Sequence, residues 1–417
     1  MKLVRNKYFQ ILLIFVISSL LIFFRFNEIP KNLAFDEVEF AKLALSLNKK
    51  PYIPYSPLAT GHSTFYFYIL LFSFKIFGVT NFALRLPSAV FGVFSVAALY
   101  LIFKKIFPKN SFLPFLLAVL FLGTRWFFNF TRFSFEATLL IFLELTSLYF
   151  LFGKKDRLDN HNLLLSGLFS GLAFNSYTPG RFFAIVPIAY ITSRSLTKEK
   201  INRKMIFKNL LVFLVPFIIT ITPLTLYLST HQDSRVDKLF FWKNHKMTFN
   251  QKVGGTIQNI GSVAMMFVYK GDLNGRHNYP GKPAINPLMF FLFIAGIALS
   301  LKDFKKPLNI VFMTYLLISV IPSLTIYPWE NPNMLRTISV LPPLTYYVGL
   351  TVSKLLSIKD FKKIIYLGLA IVVGLSIFYD LRTYFVYQTK VFPSAFETVP
   401  DLKDSLKQTN FKYLWKQ

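Results

Sequence analysis

The sequence predicts an all-α polytopic membrane protein, and three observations carry that expectation. The 417 residues are 54% hydrophobic and only 16% charged, too apolar for a water-soluble globule. Apolar runs close to the length of about 20 residues that one membrane crossing needs recur along the whole chain. The basic excess, a formal net charge of +28, sits in short blocks between those runs, as cytoplasmic loops do. That distribution argues against a nucleic-acid partner. The absence of Cys excludes a disulfide framework and a Cys-ligated zinc site but leaves the compartment open.

Taken in order, Lys2, Arg5 and Lys7 precede the first apolar run, 8–26, so the N-terminus is expected in the cytoplasm and the next loop outside. No small-residue cleavage site follows, which favours a signal anchor over a removable leader. Residues 27–80 form the first outer loop, with Pro51, Pro54 and Pro57 keeping its middle extended. Runs 62–78 and 82–103 are separated only by Gly78-Val79-Thr80-Asn81. If both cross, Lys104, Lys105 and Lys109 fall outside. If 62–78 is an interfacial or re-entrant helix, they fall inside, together with the blocks 154–157, 194–208, 302–306 and 354–363. The second arrangement follows the positive-inside bias and is adopted.

The remaining spans are 111–130, 133–153, 161–177, 181–193, 208–229, 286–301, 308–327, 335–354 and 362–381, giving about eleven with the C-terminus outside. The run 181–193 is short; it tilts, extends towards Leu196 or does not cross. Residues 1–381 thus read as one transmembrane domain. Residues 230–285 form a large outer loop with an amphipathic stretch at 253–269 and a turn-rich piece from Gly271 to Gly281, and 382–417 a short outer tail. No fixed-period repeat or low-complexity segment interrupts this plan.

Sorting polar residues by side places Asp36, Glu37, His62, Arg132, Glu136, Tyr177, Arg181, Arg276, His277, Glu330 and Arg336 on or near the outer face. Ionisable groups near membrane spans are costly unless they face a cavity or each other, so an outward-opening cavity is their simplest common home. Simpler roles compete. Asp36 and Glu39 have capping-box spacing, and Asp36 and Glu37, as neighbours, cannot share a helical face, so one reaches the cavity while the other caps or anchors. Arg132 and Glu136 are spaced for an i, i+4 ion pair. Glu144, two turns deeper, is either a hydrogen-bonded packing residue or part of a proton relay. Arg181, after Pro179-Gly180, is either a cavity residue or a headgroup anchor. His62, His161 and His277 are too scattered for a metal site and read as hydrogen-bonded histidines. No cofactor is expected; a divalent metal is left open, without ligand spacing to indicate it.

Missing motifs narrow the chemistry. There is no G-x-x-x-x-G-K-[ST] loop for an ATP-driven pump and no G-x-S-x-G elbow. No cytoplasmic segment is large enough to hold a nucleotide sugar. A transporter or flippase for a lipid-linked or envelope substrate is the alternative, but inverted repeats and broken midplane helices are not evident. A scaffold for an envelope complex would tolerate replacement of the outer charges.

Six segments, in this order, carry a resemblance: Phe35-Asp36-Glu37; Asn81 to Gly92 with Arg85 and Pro87; Thr131-Arg132 to Glu136; Gly171 to Arg181 with Tyr177; Gly271 to Asn278 with Asp272, Arg276 and His277; and Leu335-Arg336 to Pro342-Pro343. The chain resembles the GT-C superfamily of membrane glycosyltransferases, in particular the family 39 bacterial relatives of protein O-mannosyltransferases and of the aminoarabinose transferases that modify lipid A. It departs in carrying Gly61-His62-Ser63-Thr64 where relatives have a Pro-Pro-Leu-like segment, and in lacking their large soluble domains.

The resemblance implies a GT-C-like bundle in the cell membrane, with a sugar donor on a polyprenyl phosphate entering from the bilayer. The acceptor, a lipid, glycan or protein, approaches from outside, and transfer of the hexose or pentose inverts the anomeric carbon. It makes Asp36 the base, with Glu37 assisting or holding the loop. Glu136 would orient an Arg, bind the acceptor or help position a metal. Arg132, Arg181, Arg276 and Arg336 would bind the donor phosphate, the guanidinium fork matching its oxygens, while His62, Tyr177 and His277 line the pocket.

Overall fold

The computed structural model describes residues 6–153, 158–196, 203–358, 362–398 and 400–408. Lys2, Arg5, the basic block 154–157, and parts of the blocks 194–208 and 354–363 and of the tail therefore lie outside the described residues. The chain is helical almost throughout. Its helices are α1 (Lys7–Phe23), α2 (Phe35–Ser46), α3 (Phe65–Phe77), α4 (Asn81–Ile106), α5 (Leu113–Gly123), α6 (Arg125–Phe130), α7 (Ala137–Leu151), α8 (Asn160–Ser176) and α9 (Ile185–Leu196). They continue with α10 (Arg203–Thr230), α11 (Ser234–Leu239), α12 (Phe249–Met266), α13 (Pro287–Lys302), α14 (Pro307–Leu324), α15 (Leu341–Leu355), α16 (Lys362–Arg382), α17 (Phe392–Ala395) and α18 (Leu402–Gln408). Among the described residues the one sheet is an antiparallel pairing of β1 (Tyr55–Ser56) with β2 (His62–Ser63).

Each expected apolar run is carried by helix, but the boundaries need correction. Among the described residues four helices are long and apolar enough to cross a bilayer, Asn81–Ile106, Arg203–Thr230, Pro307–Leu324 and Ile364–Lys390, beside shorter apolar helices such as Lys7–Phe23 and Pro287–Lys302. The run 111–130 breaks at Thr124 into α5 and α6. The run 133–153 becomes helical only at Ala137, and 335–354 only at Leu341 after a 3-10 turn. The run 62–78 holds α3, whose 13 residues span about 20 Å, less than the roughly 30 Å hydrocarbon thickness. Large apolar side chains such as Phe207, Ile219, Leu226, Ile364, Leu367 and Phe378 stand exposed along α10 and α16. An apolar face of that extent belongs in a bilayer.

Close backbone approach explains two glycines. Gly167 and Gly171 form a G-x-x-x-G face on α8 against α10; a Cβ on Gly167 would lie 2.0 Å from the Phe213 carbonyl oxygen, and one on Gly171 2.6 Å from Thr220 Cβ. Small residues of this kind let membrane helices pack at short range.

Residues 131–136 are the structural exception, an irregular buried segment just ahead of α7. Although not helical and fully buried, their backbone is satisfied by side chains: Ser134 N donates to Glu37 Oε1 (2.9 Å), Phe135 N donates to Ser88 Oγ (3.0 Å), and Ser88 Oγ donates to the Phe135 carbonyl (2.9 Å). Irregular backbone survives at membrane depth only with such internal partners. The segment aims Arg132 at the end of α1, where it donates to the carbonyls of Ile22 (2.5 Å), Arg25 (3.0 Å) and Ile29 (3.0 Å). The Ile22 carbonyl is among those that the C-terminal end of α1 leaves without a partner inside the helix, and Arg132 supplies one.

The expected outer tail packs back onto the first loop. Thr398 N and Oγ1 both donate to the Leu33 carbonyl, Leu402 N donates to Asn81 Oδ1 (3.0 Å), and Phe396 is buried beside Phe133.

Candidate active site

The first loop is built to hold two adjacent carboxylates in different surroundings. Glu37 sits in the first turn of α2, completely buried, and Arg85 grips it twice at 2.8 Å, Nε to Oε1 and Nη2 to Oε2. Its remaining capacity is taken by Ala34 N (3.1 Å) and Ser134 N (2.9 Å). The N-terminal cap therefore runs from Ala34 to Glu37, two residues earlier than the Asp36–Glu39 spacing suggests. Glu37, expected in the catalytic group, does not reach a cavity. Asp36 points the other way; its side chain is 49% exposed and meets Arg276 Nη1 at 2.6 Å through Oδ2.

That pair stands at the rim of a cavity of about 320 Å³, walled by Asp36, Phe40, His62, Tyr177, Arg235, Arg276, His277, Asn333 and Arg336 among others. Of the ten site residues expected from sequence, Asp36, His62, Tyr177, Arg276, His277 and Arg336 meet here. The loop 271–282 delivers Arg276 by a chain of side-chain turns, Asp272 Oδ1 accepting from Asn274 N (2.8 Å) and Asn274 Oδ1 from Arg276 N (3.0 Å). Asp272 Oδ2 binds both His277 Nδ1 (2.8 Å) and Met334 N (2.8 Å), which ties this loop to the segment bearing Arg336. Arg336 donates to Glu330 Oε2 (3.1 Å), while its Nη1 is buried without a hydrogen-bond partner among the described residues.

The opposite wall is a relay behind His62. Its Nδ1 lies 2.5 Å from Glu136 Oε1 and its Nε2 2.7 Å from Arg235 Nη1. Burial holds the imidazole pKa below its ordinary value, and Arg235 adds to that against the opposing pull of Glu136. A neutral ring with its proton on Nδ1 satisfies both neighbours. Glu136 thus stands one side chain behind the cavity wall. The expected i, i+4 pair with Arg132 does not form, because residues 131–136 are not helical and Arg132 is spent on α1. The adjoining residues Ala59, Thr60 and Gly61 all have positive φ (53°, 71° and 99°), a strained run of the kind found at ligand-facing loops.

Arg132 and Arg181, expected on donor phosphate, do not line this cavity, although Arg181 lines the groove beside it. Arg132 is fully buried. Arg181 pairs with Asp233 at 2.6 Å; burial pushes the Asp233 carboxyl up, but Arg181 and further hydrogen bonds outweigh that and hold it below its ordinary pKa. Asp233 also caps α11 through Arg235 N and Val236 N, both 3.2 Å, and so positions Arg235. Sequence reading missed Arg235; its signal was a lone Asp233-Ser234-Arg235 in the large outer loop. It missed Arg85 as the partner of Glu37 for a similar reason.

Glu144 accepts from Tyr315 OH at 2.7 Å, within the bundle. Among the described residues no three His, Asp or Glu side chains gather in a metal-ligand group.

Beside the polar cavity lies an apolar groove of about 230 Å³ formed by Thr178, Pro179, Phe182, Val236, Phe240, Pro322 and Ile326, among others. Tyr177, Arg235, Leu239 and Arg336 wall both spaces.

The fold is shared with solved membrane proteins. The chain superposes on ArnT from Cupriavidus metallidurans bound to undecaprenyl phosphate with a TM-score of 0.59 at 12% identity, covering 92% of this chain and 77% of that one. It superposes on the archaeal oligosaccharyltransferase AglB from Archaeoglobus fulgidus, in complex with an inhibitory peptide and a dolichol-phosphate, with a TM-score of 0.54 at 15% identity. That match covers 93% of this chain and 56% of AglB. In sequence, residues 61–222 match the family described as dolichyl-phosphate-mannose-protein mannosyltransferase. No curated protein sequence matches the chain.

Proposed function

We propose that the chain transfers a sugar from a polyprenyl-phosphate donor to an acceptor outside the cytoplasm, with inversion, in a plasma membrane where its N-terminus is cytoplasmic. One observation carries the reading: a polar cavity holding two carboxylates, Asp36 and Glu330, and three arginines shares a wall with an apolar groove. A polyprenyl phosphate has the matching amphipathic form, its chain in the groove beside Phe182, Phe240 and Ile326 and its phosphate near Arg235 and Arg336.

In this reading the departing phosphate is a stable anion, so the protein mainly has to stabilise charge as it develops. Arg235, Arg276 and Arg336 supply fixed positive charge at that point. Asp36 takes the proton of a hydroxyl acceptor once Arg276 turns to the donor. Glu37 and Arg132 hold the loop, and Glu136 sets the His62 ring. The acceptor is a lipid, glycan or protein, and the sugar a hexose or pentose; residues contacting the ring would decide.

The test is transfer by purified protein in lipid, with polyprenyl-phosphate sugars as donors and envelope lipid or glycan extracts as acceptors. Asp36→Asn should lower the rate by roughly 10²- to 10⁴-fold, the range of a lost general base, with an unchanged melting temperature. Wild-type rates in the variant would remove Asp36 from the mechanism.

A further inference from the structure

At the other end of the bundle lies a larger cavity of about 1230 Å³, set among the ends of α4, α7, α9, α13 and α15 and the start of α14. Among the described residues its wall carries five cations, Lys105, Arg194, Lys302, Lys306 and Lys354, and one carboxylate, Asp303. The 18 residues of α14, which reach from this cavity towards the apolar groove, rise about 27 Å, close to the roughly 30 Å hydrocarbon thickness. The two spaces therefore open at opposite membrane surfaces.

Helix ends explain part of the charge, since cations are favoured at C-terminal carbonyls. They do not explain the concavity or its lining. The floor is aromatic: Phe107, Phe152, Tyr190 and Tyr346 line it, with Tyr346 stacked on Phe312 at 3.9 Å. Its polar groups are already satisfied, Tyr346 OH donating to Asn309 Oδ1 (2.7 Å) and Asn309 Nδ2 to the Asp303 carbonyl (2.9 Å). The floor thus offers apolar faces, and the charge is at the rim. There, Lys306 takes Asp303 at 2.6 Å and Arg194 donates to Tyr190 OH at 2.6 Å. Lys302 and Lys354 have no carboxylate partner among the described residues.

We propose that this cavity binds the phosphate-bearing headgroup of an anionic lipid. Basic pockets between spanning helices on the cytoplasmic side attract such headgroups, at roughly a fivefold gain in affinity per lysine. The volume exceeds the 300–1,000 Å³ typical of drug-sized ligand pockets, far more than a free phosphate ion needs. It suits a headgroup with the first methylenes of its chains lying on the aromatic floor. Nothing in this argument depends on the sugar-transfer reading.

The experiment is native mass spectrometry of the full chain in detergent, titrated with phosphatidylglycerol, phosphatidylcholine or inorganic phosphate. Wild type should prefer phosphatidylglycerol to phosphatidylcholine. Replacing both Lys302→Gln and Lys354→Gln should weaken phosphatidylglycerol binding roughly thirtyfold and leave phosphatidylcholine unaffected. Lys302→Arg with Lys354→Arg should keep binding, and Lys270→Gln, on the other face, should change nothing. Displacement of the lipid by millimolar inorganic phosphate would support phosphate recognition with the free ion as a sufficient source; failure to displace it would support the whole headgroup. Equal affinity for the two lipids, or unchanged phosphatidylglycerol binding in the double Gln variant, would overturn the proposal.

Discussion

Asp36 and Glu37 show how far two neighbouring carboxylates can differ. One is half exposed and held by Arg276, the other is fully buried with both oxygens saturated. The sequence made clear that they could not share a helical face, but not which would turn inward. That choice belongs to Arg85, which also donates to the carbonyls of Pro30 (2.6 Å) and Asn32 (2.8 Å) and thereby fixes the loop ahead of α2. Removing one partner of a buried ion pair strands the other charge and costs about 3–5 kcal/mol. Glu37→Gln should therefore lower the melting temperature markedly where Asp36→Asn does not. Equal melting temperatures for Glu37→Gln and wild type would contradict the anchoring role. Arg235 was beyond sequence reading for a comparable reason: its place depends on Asp233 being held by Arg181 and Tyr55, contacts between segments far apart in the chain.

The helices were legible where apolar runs are long and uninterrupted, as in α4, α10 and α14. Their interruptions were not. An apolar run reports removal from water, which a buried irregular segment satisfies as well as a helix does, provided side chains replace the missing backbone bonds. Residues 131–136 meet that condition through Glu37 and Ser88, so a sequence-derived span from 133 was too long. Helix contact was legible in principle at Gly167 and Gly171, whose spacing marks a close-packed face. Gly167→Ala would drive a methyl into the Phe213 carbonyl and should destabilise by about 1–3 kcal/mol, as overpacking does, read as a lower melting temperature in detergent. A variant as stable as wild type would mean α8 and α10 pack more loosely than this.

Across the whole molecule, the charge pattern proved the most informative property of the sequence. Lys105, Arg194, Lys302, Lys306 and Lys354 come from four separate segments yet gather at one end, opposite the cavity rimmed by Asp36. The positive-inside rule assigns that end to the cytoplasm. Because the chain has no Cys, single replacements test the assignment directly. Lys50→Cys should react with a membrane-impermeant maleimide in intact cells, and Lys305→Cys only after permeabilisation. Labelling of both without permeabilisation would break the topology.

The contact between Arg276 and Asp36 bears on timing. While it lasts, one carboxylate oxygen is occupied by a guanidinium at 2.6 Å. Within the proposed reaction, a donor phosphate that draws Arg276 away would switch on the base only when a sugar is in place. Asp36 would then be covered whenever the donor is absent, and the arginine that covers it would help the phosphate leave.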